Sequence, residues 1–333
     1  MKRTFLLFFL PFTLLIFSSC GGEETNEDGS KKDTRILPSS SGTHSELLLV
    51  MSDDLWQGKA GEAFREKYLQ DQEGLPQTEP YFEVTRVEPR KVGSLFEKVK
   101  TILWIEISDT SFVNLTKDPW ARPQQLFRIT APNEKGIINA INGSAKKIIT
   151  SFKDFNISVL QDRIKRGAYA YTHENLTDIG IKSMILRKGF EPTLDKENLK
   201  IFANMTVSST VQYIIMSSRP MTEGLVRIDD IIEHRDSIGK HYFEGTFPGS
   251  YMTTEMIIPP TVSNTEISGM FAVETRGLWR MEGDFMGGPF LSYSIYDEKN
   301  DRILTVEALV YGPRAKKRNI VMELEAMMRS IKL

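Results

Sequence analysis

The chain has 333 residues, 42 Lys and Arg against 44 Asp and Glu, a net charge of -2, and a single cysteine. A charge so close to balance provides no basic field to collect a polyanion, which excludes nucleic acid as a partner. One cysteine excludes an intrachain disulfide, and 40% hydrophobic with 26% charged residues is the mixture of a folded protein.

The first element is Met1-Lys2-Arg3 followed by the uncharged, apolar run from Thr4 to Phe17. That run is shorter than the roughly 20 residues that span hydrocarbon. It has the anatomy of a secretory signal peptide over 1–19. Ile16-Phe17-Ser18-Ser19-Cys20 resembles a lipobox, with cleavage before Cys20 and lipidation of its sulfur. Phe17 is bulkier than the residue usual at its place. Stable anchoring takes more than one acyl chain, and a triacylated cysteine carrying chains such as palmitate supplies them. The partner implied is therefore a membrane, reached through the N-terminal lipid. A residue other than Asp after Cys20 resembles outer-membrane sorting. Glu23, Glu24, Glu27 and Asp28 are similar to the surface-export signal of Bacteroidetes lipoproteins. The localisation expected is an outer-membrane lipoprotein of the cell envelope, with the periplasmic and surface-facing leaflets both open. Residues 20–43 are polar and lack aromatics, so they are expected to form a flexible tether.

The roughly 290 residues that remain exceed one typical domain. Leu47 to Val50 predicts a buried strand, and Lys59 to Leu69 a helix. Gly74-Leu75-Pro76 breaks the chain. Tyr81 to Val87 alternates as a half-buried strand does; Val92 to Val99 suits a short helix, and Ile102 to Ile107 a strand. An irregular loop holding Asp118-Pro119-Trp120 follows, then a strand over Leu126 to Thr130. Ile137, Ile141, Ala145, Ile148 and Phe152 form a helical stripe. Leu160, Ile164, Ala168 and Tyr171 predict a second helix beginning at Ser158. From about Asn175 to Gly189 the pattern turns strand-rich. Strands are expected over Ile181–Leu186, Leu199–Met205, Val211–Met216, Tyr251–Ile257, Phe271–Thr275, Phe290–Tyr296 and Arg302–Tyr311. A helix is expected over Arg227–Tyr242, and a last one after Pro313. The architecture expected is α+β with two associated domains. An N-terminal α/β domain covers 44–180. A C-terminal α+β domain over 181–333 is built on a largely antiparallel sheet flanked by helices.

Four groups of residues could carry chemistry. Asp53, Asp54 and Trp56 end a buried strand, where sites often lie; a turn with Asp54 capping the next helix is the reading that neighbouring carboxylates favour. Asp230, Glu233 and His234 share one helix face, with His241 and Glu244 further on, and are candidate metal ligands. No His-Glu-x-x-His arrangement or thiolate joins them, and a solvated helix face explains them too. The stretch Trp279 to Phe290 mixes Trp279, Arg280, Phe285, Met286 and Phe290 with glycines. It suits either an adaptable binding surface or a tight strand connection. Asp236-Ser237-Ile238 is similar to the O-glycosylation acceptor of exported Bacteroidetes proteins, at Ser237. Two Ser-x-x-Lys matches, at Ser144 and Ser237, lack the companion motifs and carry nothing. There is no nucleophile elbow or phosphate-cradling loop, and no cofactor is expected.

Four blocks occur in order: Leu37-Pro38-Ser39-Ser40-Ser41-Gly42, Gly74-Leu75-Pro76-Gln77-Thr78-Glu79-Pro80, Gly249 to Glu255, and Ala272 to Arg280. Together they resemble an uncharacterised Bacteroidetes lipoprotein family, a domain of unknown function, over the whole mature chain. The resemblance implies a cell-envelope setting and no established activity. The strand-rich half is loosely similar in pattern to the antiparallel sandwich of PsbP-type photosystem proteins. The function expected is a non-enzymatic module that binds or scaffolds another envelope component. A metal- or carboxylate-dependent hydrolase of envelope glycan or peptide, and a small-ligand carrier, are the alternatives.

Overall fold

The computed structural model describes residues 36–167, 169–171, 176–205, 210–221 and 227–333. The expected signal peptide, Cys20 with its lipid, and most of the expected tether lie outside the described residues. No described helix is long and apolar enough to cross a membrane.

In the first lobe, β1 (Glu46–Val50) leads into a short helix α1 (Asp53–Gln57) and α2 (Lys59–Tyr68). Then come β2 (Glu83–Val87), β3 (Thr101–Ile107), β4 (Phe112–Lys117) and β5 (Gln125–Ala131). The sheet order is β2-β1-β3-β5-β4, parallel except for the antiparallel edge pair β4–β5. The central strands are apolar on both faces, as parallel strands covered on both sides must be. Leu47, Leu49, Leu103 and Ile105 face α2 and the long helix that follows, whereas Leu48, Val50 and Ile102 face the other side. Residues 92–99 form no α-helix; a single 3-10 turn, Phe96–Lys98, stands there, and another, Pro89–Lys91, precedes it. Ser39 to Ser41, expected as the end of the tether, are hydrogen-bonded to the lobe. Ser40 N–H donates to the Arg122 carbonyl at 3.1 Å and Ser41 N–H to that of Lys98 at 2.7 Å. Backbone pairing of this kind leaves no side-chain pattern to announce it.

The two helices expected between 137 and 171 are one, α3 (Glu134–Gly167), 34 residues long. Its first half puts Ile137, Ile141, Ala145, Ile148 and Phe152 into the core of the first lobe. Its second half puts Ile157, Leu160 and Ile164 into the core of the second. At 1.5 Å per residue it runs about 50 Å, so one rod belongs to both cores. The apolar stripe slips phase after Phe152, because Asn156 occupies the next position and is fully buried there.

The second lobe begins with a two-stranded ribbon, β6 (Tyr169–Tyr171) with β7 (Met184–Leu186). Its main sheet holds β8 (Glu191–Lys196), β9 (Leu199–Asn204), β10 (Val211–Pro220), β11 (Tyr251–Thr254), β12 (Thr261–Ile267), β13 (Met270–Glu282), β14 (Gly287–Asp297) and β15 (Arg302–Tyr311). The order is β11-β13-β14-β15-β10-β9-β8, with β12 also paired to β13, and every pairing is antiparallel. α4 (Ile228–Tyr242) covers one face; α5 (Arg318–Met328) and the second half of α3 cover the other. The α+β architecture with a C-terminal antiparallel sheet is thus as expected.

Candidate functional site

The residues singled out from sequence are dispersed. Ser52, not Asp54, caps α1. Asp53 pairs with Arg86 at 2.5 Å, and the Trp56 ring is covered by the guanidinium of Arg65 at 4.6 Å. Asp53 and Asp54 are exposed, and none of the cavities described below is lined by Asp53, Asp54 or Trp56. On α4, the Asp230 carboxylate accepts from the Arg227 N–H at 2.9 Å, closing the helix start. Glu233 is exposed, and His234 shares a 2.9 Å hydrogen bond with Ser217. Among the described residues no three His, Cys, Asp or Glu side chains come together to hold a metal. Ser237 is exposed, in mid-helix. The stretch 279–290 is mostly strand: Trp279 lies opposite Gly288 and Arg280 opposite Gly287. Only residues 283–286 form the connection. Trp279 and Phe290 are buried, Arg280 and Met286 half-buried, and Phe285 stands fully in solvent. The apolar cavity beside Trp279 and Met286 measures about 80 Å³, far below the several hundred Å³ of a small-ligand pocket.

His234 provides a first test. Burial, then the charge of Arg219, pushes its imidazole from 6.5 down to about 4. The folded value lies below the unfolded one, so the stability it contributes is complete above pH 6.5. It is lost as pH falls toward 4. His234→Gln should therefore flatten the decline in urea midpoint between pH 7 and pH 4.5. Parallel declines in the two proteins would refute the assignment.

Where the lobes meet, a different set converges. α3 contributes Thr150 and Lys153, the loop between α2 and β2 contributes Asp71, Glu73 and Tyr81, and β13 contributes Glu274 and Arg276. They line a cavity of about 430 Å³. Its floor is a buried charge network. Arg276, 7% exposed, pairs with Glu274 at 2.6 Å and with Glu325 of α5 at 2.8 Å. The Tyr293 hydroxyl donates to Glu325 at 3.4 Å. Arg329 stands 3.9 Å from Glu325 and 3.0 Å from Asp154 of α3. Burial alone would raise the Glu325 carboxyl; Arg276, then Arg329 and Lys153, hold it below its ordinary value. Such a group stays ionised only because cations enclose it.

Lys153 lines the same cavity. Its ammonium lies 3.2 Å from the centroid of the Tyr81 ring, a cation–π contact. Among the described residues no carboxylate reaches it at ion-pair distance. Burial, then Arg276, pushes its amine from 10.5 to about 8, against the pull of Glu325, Glu274 and Glu73. A partly desolvated, unpaired lysine in an open cavity can take an anionic group of a ligand or move a proton near neutral pH. Sequence reasoning overlooks this set because its members come from three distant segments. The only local signal is Glu274 and Arg276, two charged residues that follow the apolar start of β13.

A loop from the first lobe completes the junction. Asp71 pairs with Pro80 across its neck, and Leu75 packs on the second core. Gly74 has φ +75°, and a Cβ there would stand 3.0 Å from the Gly277 nitrogen and 3.1 Å from Arg276 Cβ. A positive φ with backbone so close leaves glycine as the residue that fits.

Residues 182–330 match the family model described as "Domain of unknown function (DUF4837)" and residues 40–165 the one described as "Domain of unknown function (DUF8532)". No curated protein matches. Among solved structures, the Ran-binding protein Mog1p of Saccharomyces cerevisiae is 11% identical, with a TM-score of 0.33 over 49% of this chain and 94% of that one. A Mog1 point mutant gives 12% and 0.30 over 49% and 94%. A protein from Bacteroides thetaiotaomicron VPI-5482 gives 13% and 0.25 over 45% and 44%. The chain is thus covered by two family models of unknown function, one for most of each lobe.

Proposed function

We propose that this chain is a lipid-anchored cell-envelope protein that binds another envelope component in the cleft between its two lobes. The observation that carries the reading is the unpaired, desolvated ammonium of Lys153 at the mouth of a 430 Å³ cavity. The polar walls suit a peptide-like segment, its carboxylate on Lys153 and its basic or amide groups toward Asp71 and Glu73. The dispersed carboxylates of the hydrolase alternative and the 80 Å³ apolar cavity of the carrier alternative offer neither a comparable convergence nor comparable room.

The test is photo-crosslinking in intact cells of the native host, with the crosslinking residue at exposed Thr150. One envelope component should be recovered from the otherwise natural chain, lost with Lys153→Met and retained with Lys153→Arg. Equal recovery from the Lys153→Met chain would overturn the cleft as the binding site. Acyl labelling that vanishes with Cys20→Ala is the expected result for the anchor, and labelling that persists would refute it.

A further inference from the structure

A second cavity, of about 270 Å³, opens on the first lobe, away from the residues of the cleft. Three segments build it: residues 39–44 leading into β1, the turn at Arg122 before β5, and the last two turns of α3. Arg163 and Arg166, at helical spacing, bring two guanidinium groups from α3 to one rim; Arg122 lines it as well. The floor is made of His44, 8% exposed, and Lys100, 6% exposed.

The cations are poorly compensated. Arg163 Nη1 lies 3.2 Å from His44 Nε2. His44 Nδ1 is buried with no hydrogen-bond partner among the described residues. Lys100 donates only long contacts, 3.5 Å each, to the carbonyls of Gly42 and Thr43. Two carboxylates come near. Asp118 pairs with Arg122 at 2.8 Å, and Glu46, which accepts from the Thr43 N–H at 3.2 Å, attracts Lys100 from a distance. No carboxylate pairs with Arg163 or Arg166 among the described residues. Lys100 is a buried charge, and Arg163 and Arg166 stand exposed beside it; a buried ammonium without an ion pair is costly, and an anion seated among the three offsets that cost.

We propose that this cavity is a binding site for a phosphate group, held by His44, Lys100, Arg163 and Arg166. Planar guanidinium forks match the oxygens of a tetrahedral phosphate, the lysine adds a point charge, and the Ser40 hydroxyl lines the same cavity. Burial, then Lys100 and Arg163, depresses the His44 imidazole to about 4, so at neutral pH the ring is uncharged and offers the phosphate an N–H. The room suffices for the phosphate and a small attached group, so a free phosphate ester and a phospholipid headgroup share the required chemistry. The proposal is independent of what enters the cleft.

The experiment uses the full chain with Cys20→Ser, so that no acyl group enters. Inorganic phosphate and glycerol 1-phosphate are titrated by calorimetry at constant ionic strength, with acetate as control. Flotation with phosphatidylglycerol and phosphatidylcholine vesicles forms the second arm. Saturable phosphate binding that weakens at least about tenfold in Arg163→Gln, the loss of a charge-assisted fork contact, supports the site and a soluble source. Binding only to phosphatidylglycerol vesicles, with the same loss, supports the site and a headgroup source. Arg163 and Arg166 are both exposed, so neither substitution should unfold the chain, and Arg166→Gln must show the same direction of loss. Responses that neither substitution changes, or acetate bound as tightly as phosphate, would overturn the proposal.

Discussion

Arg276→Ala should unfold the chain at a markedly lower urea concentration, with a loss of about 3–5 kcal/mol, the range for removing one partner of a buried ion pair. The guanidinium is the hub between Glu274 and Glu325. Without it Glu325, deep at the lobe junction, keeps Arg329 at 3.9 Å, the Tyr293 hydroxyl at 3.4 Å and the more distant charge of Lys153. Glu325 would then take up a proton more readily, because burial raises a carboxyl once its main cation has gone. The signature is a variant whose deficit shrinks as pH falls, since a protonated Glu325 no longer needs Arg276. Replacing the whole set, as Arg276→Met with Glu274→Gln and Glu325→Gln, should recover much of the loss; buried ionic groups are often replaceable as a unit and not singly. A loss below about 1 kcal/mol for Arg276→Ala, the scale of an exposed pair, would show that the network is solvated and that the junction is held by apolar packing alone.

Buried elements are legible in the sequence, and exposed ones are not. Leu47 to Val50 and Arg302 to Tyr311 announce themselves because their apolar residues must be hidden. By contrast, β4, β8 and β12 are edge or near-edge strands that show solvent on nearly every residue. They have no hydrophobic period, and only backbone pairing defines them. The same logic divides α3 wrongly: a stripe that jumps phase at Asn156 looks like a break, although the rod only turns its face from one core to another. The stretch from Trp279 to Phe290 looks like a glycine-rich loop, yet Gly287 and Gly288 lie where bulk would collide. A Cβ on Gly288 would stand within 3.2 Å of the Trp279 indole nitrogen. For the site, the visible clusters are those adjacent in sequence, Asp53 with Asp54 and Asp230 with Glu233 and His234. Such neighbours usually serve the turn or helix end they stand in. The groups that converge, Lys153, Arg276 and Glu325, are far apart along the chain and become a set only through the antiparallel register of β13 and the reach of α3. Of the four sequence blocks that mark the family resemblance, Gly74 to Pro80 has the plainest physical explanation: it is the loop that joins the lobes.

That loop leads to the second large effect. Glu79 is 6% exposed and reaches across to the start of α5, where its carboxylate accepts from the backbone N–H of Lys317 at 2.7 Å and of Arg318 at 3.1 Å. Helix starts leave N–H groups without partners, and a carboxylate there also meets the positive end of the helix dipole. Glu79 thus does from another lobe what a capping residue ordinarily does from the adjacent position. Arg318 returns the contact by donating to the Pro80 carbonyl at 2.9 Å. Glu79→Ala should cost about 3 kcal/mol, two hydrogen bonds to a charged acceptor at about 1.5 kcal/mol each. Glu79→Gln, which keeps an acceptor but loses the charge, should cost roughly half as much. Hydrogen exchange separates this from a general loss of stability. The amides of Lys317 and Arg318, and that of Gln72, which donates to the Glu79 carbonyl at 2.9 Å, should lose protection before the strands of either sheet do. Because Tyr81 follows directly and stacks on Lys153, release of the loop should also carry away one wall of the cleft. Crosslinking from Thr150 would then fall in Glu79→Ala under conditions where both sheets remain protected. Unchanged exchange at Lys317 and Arg318 would mean that the helix start is satisfied without Glu79, and that the loop is held by Leu75 and Gly74 alone.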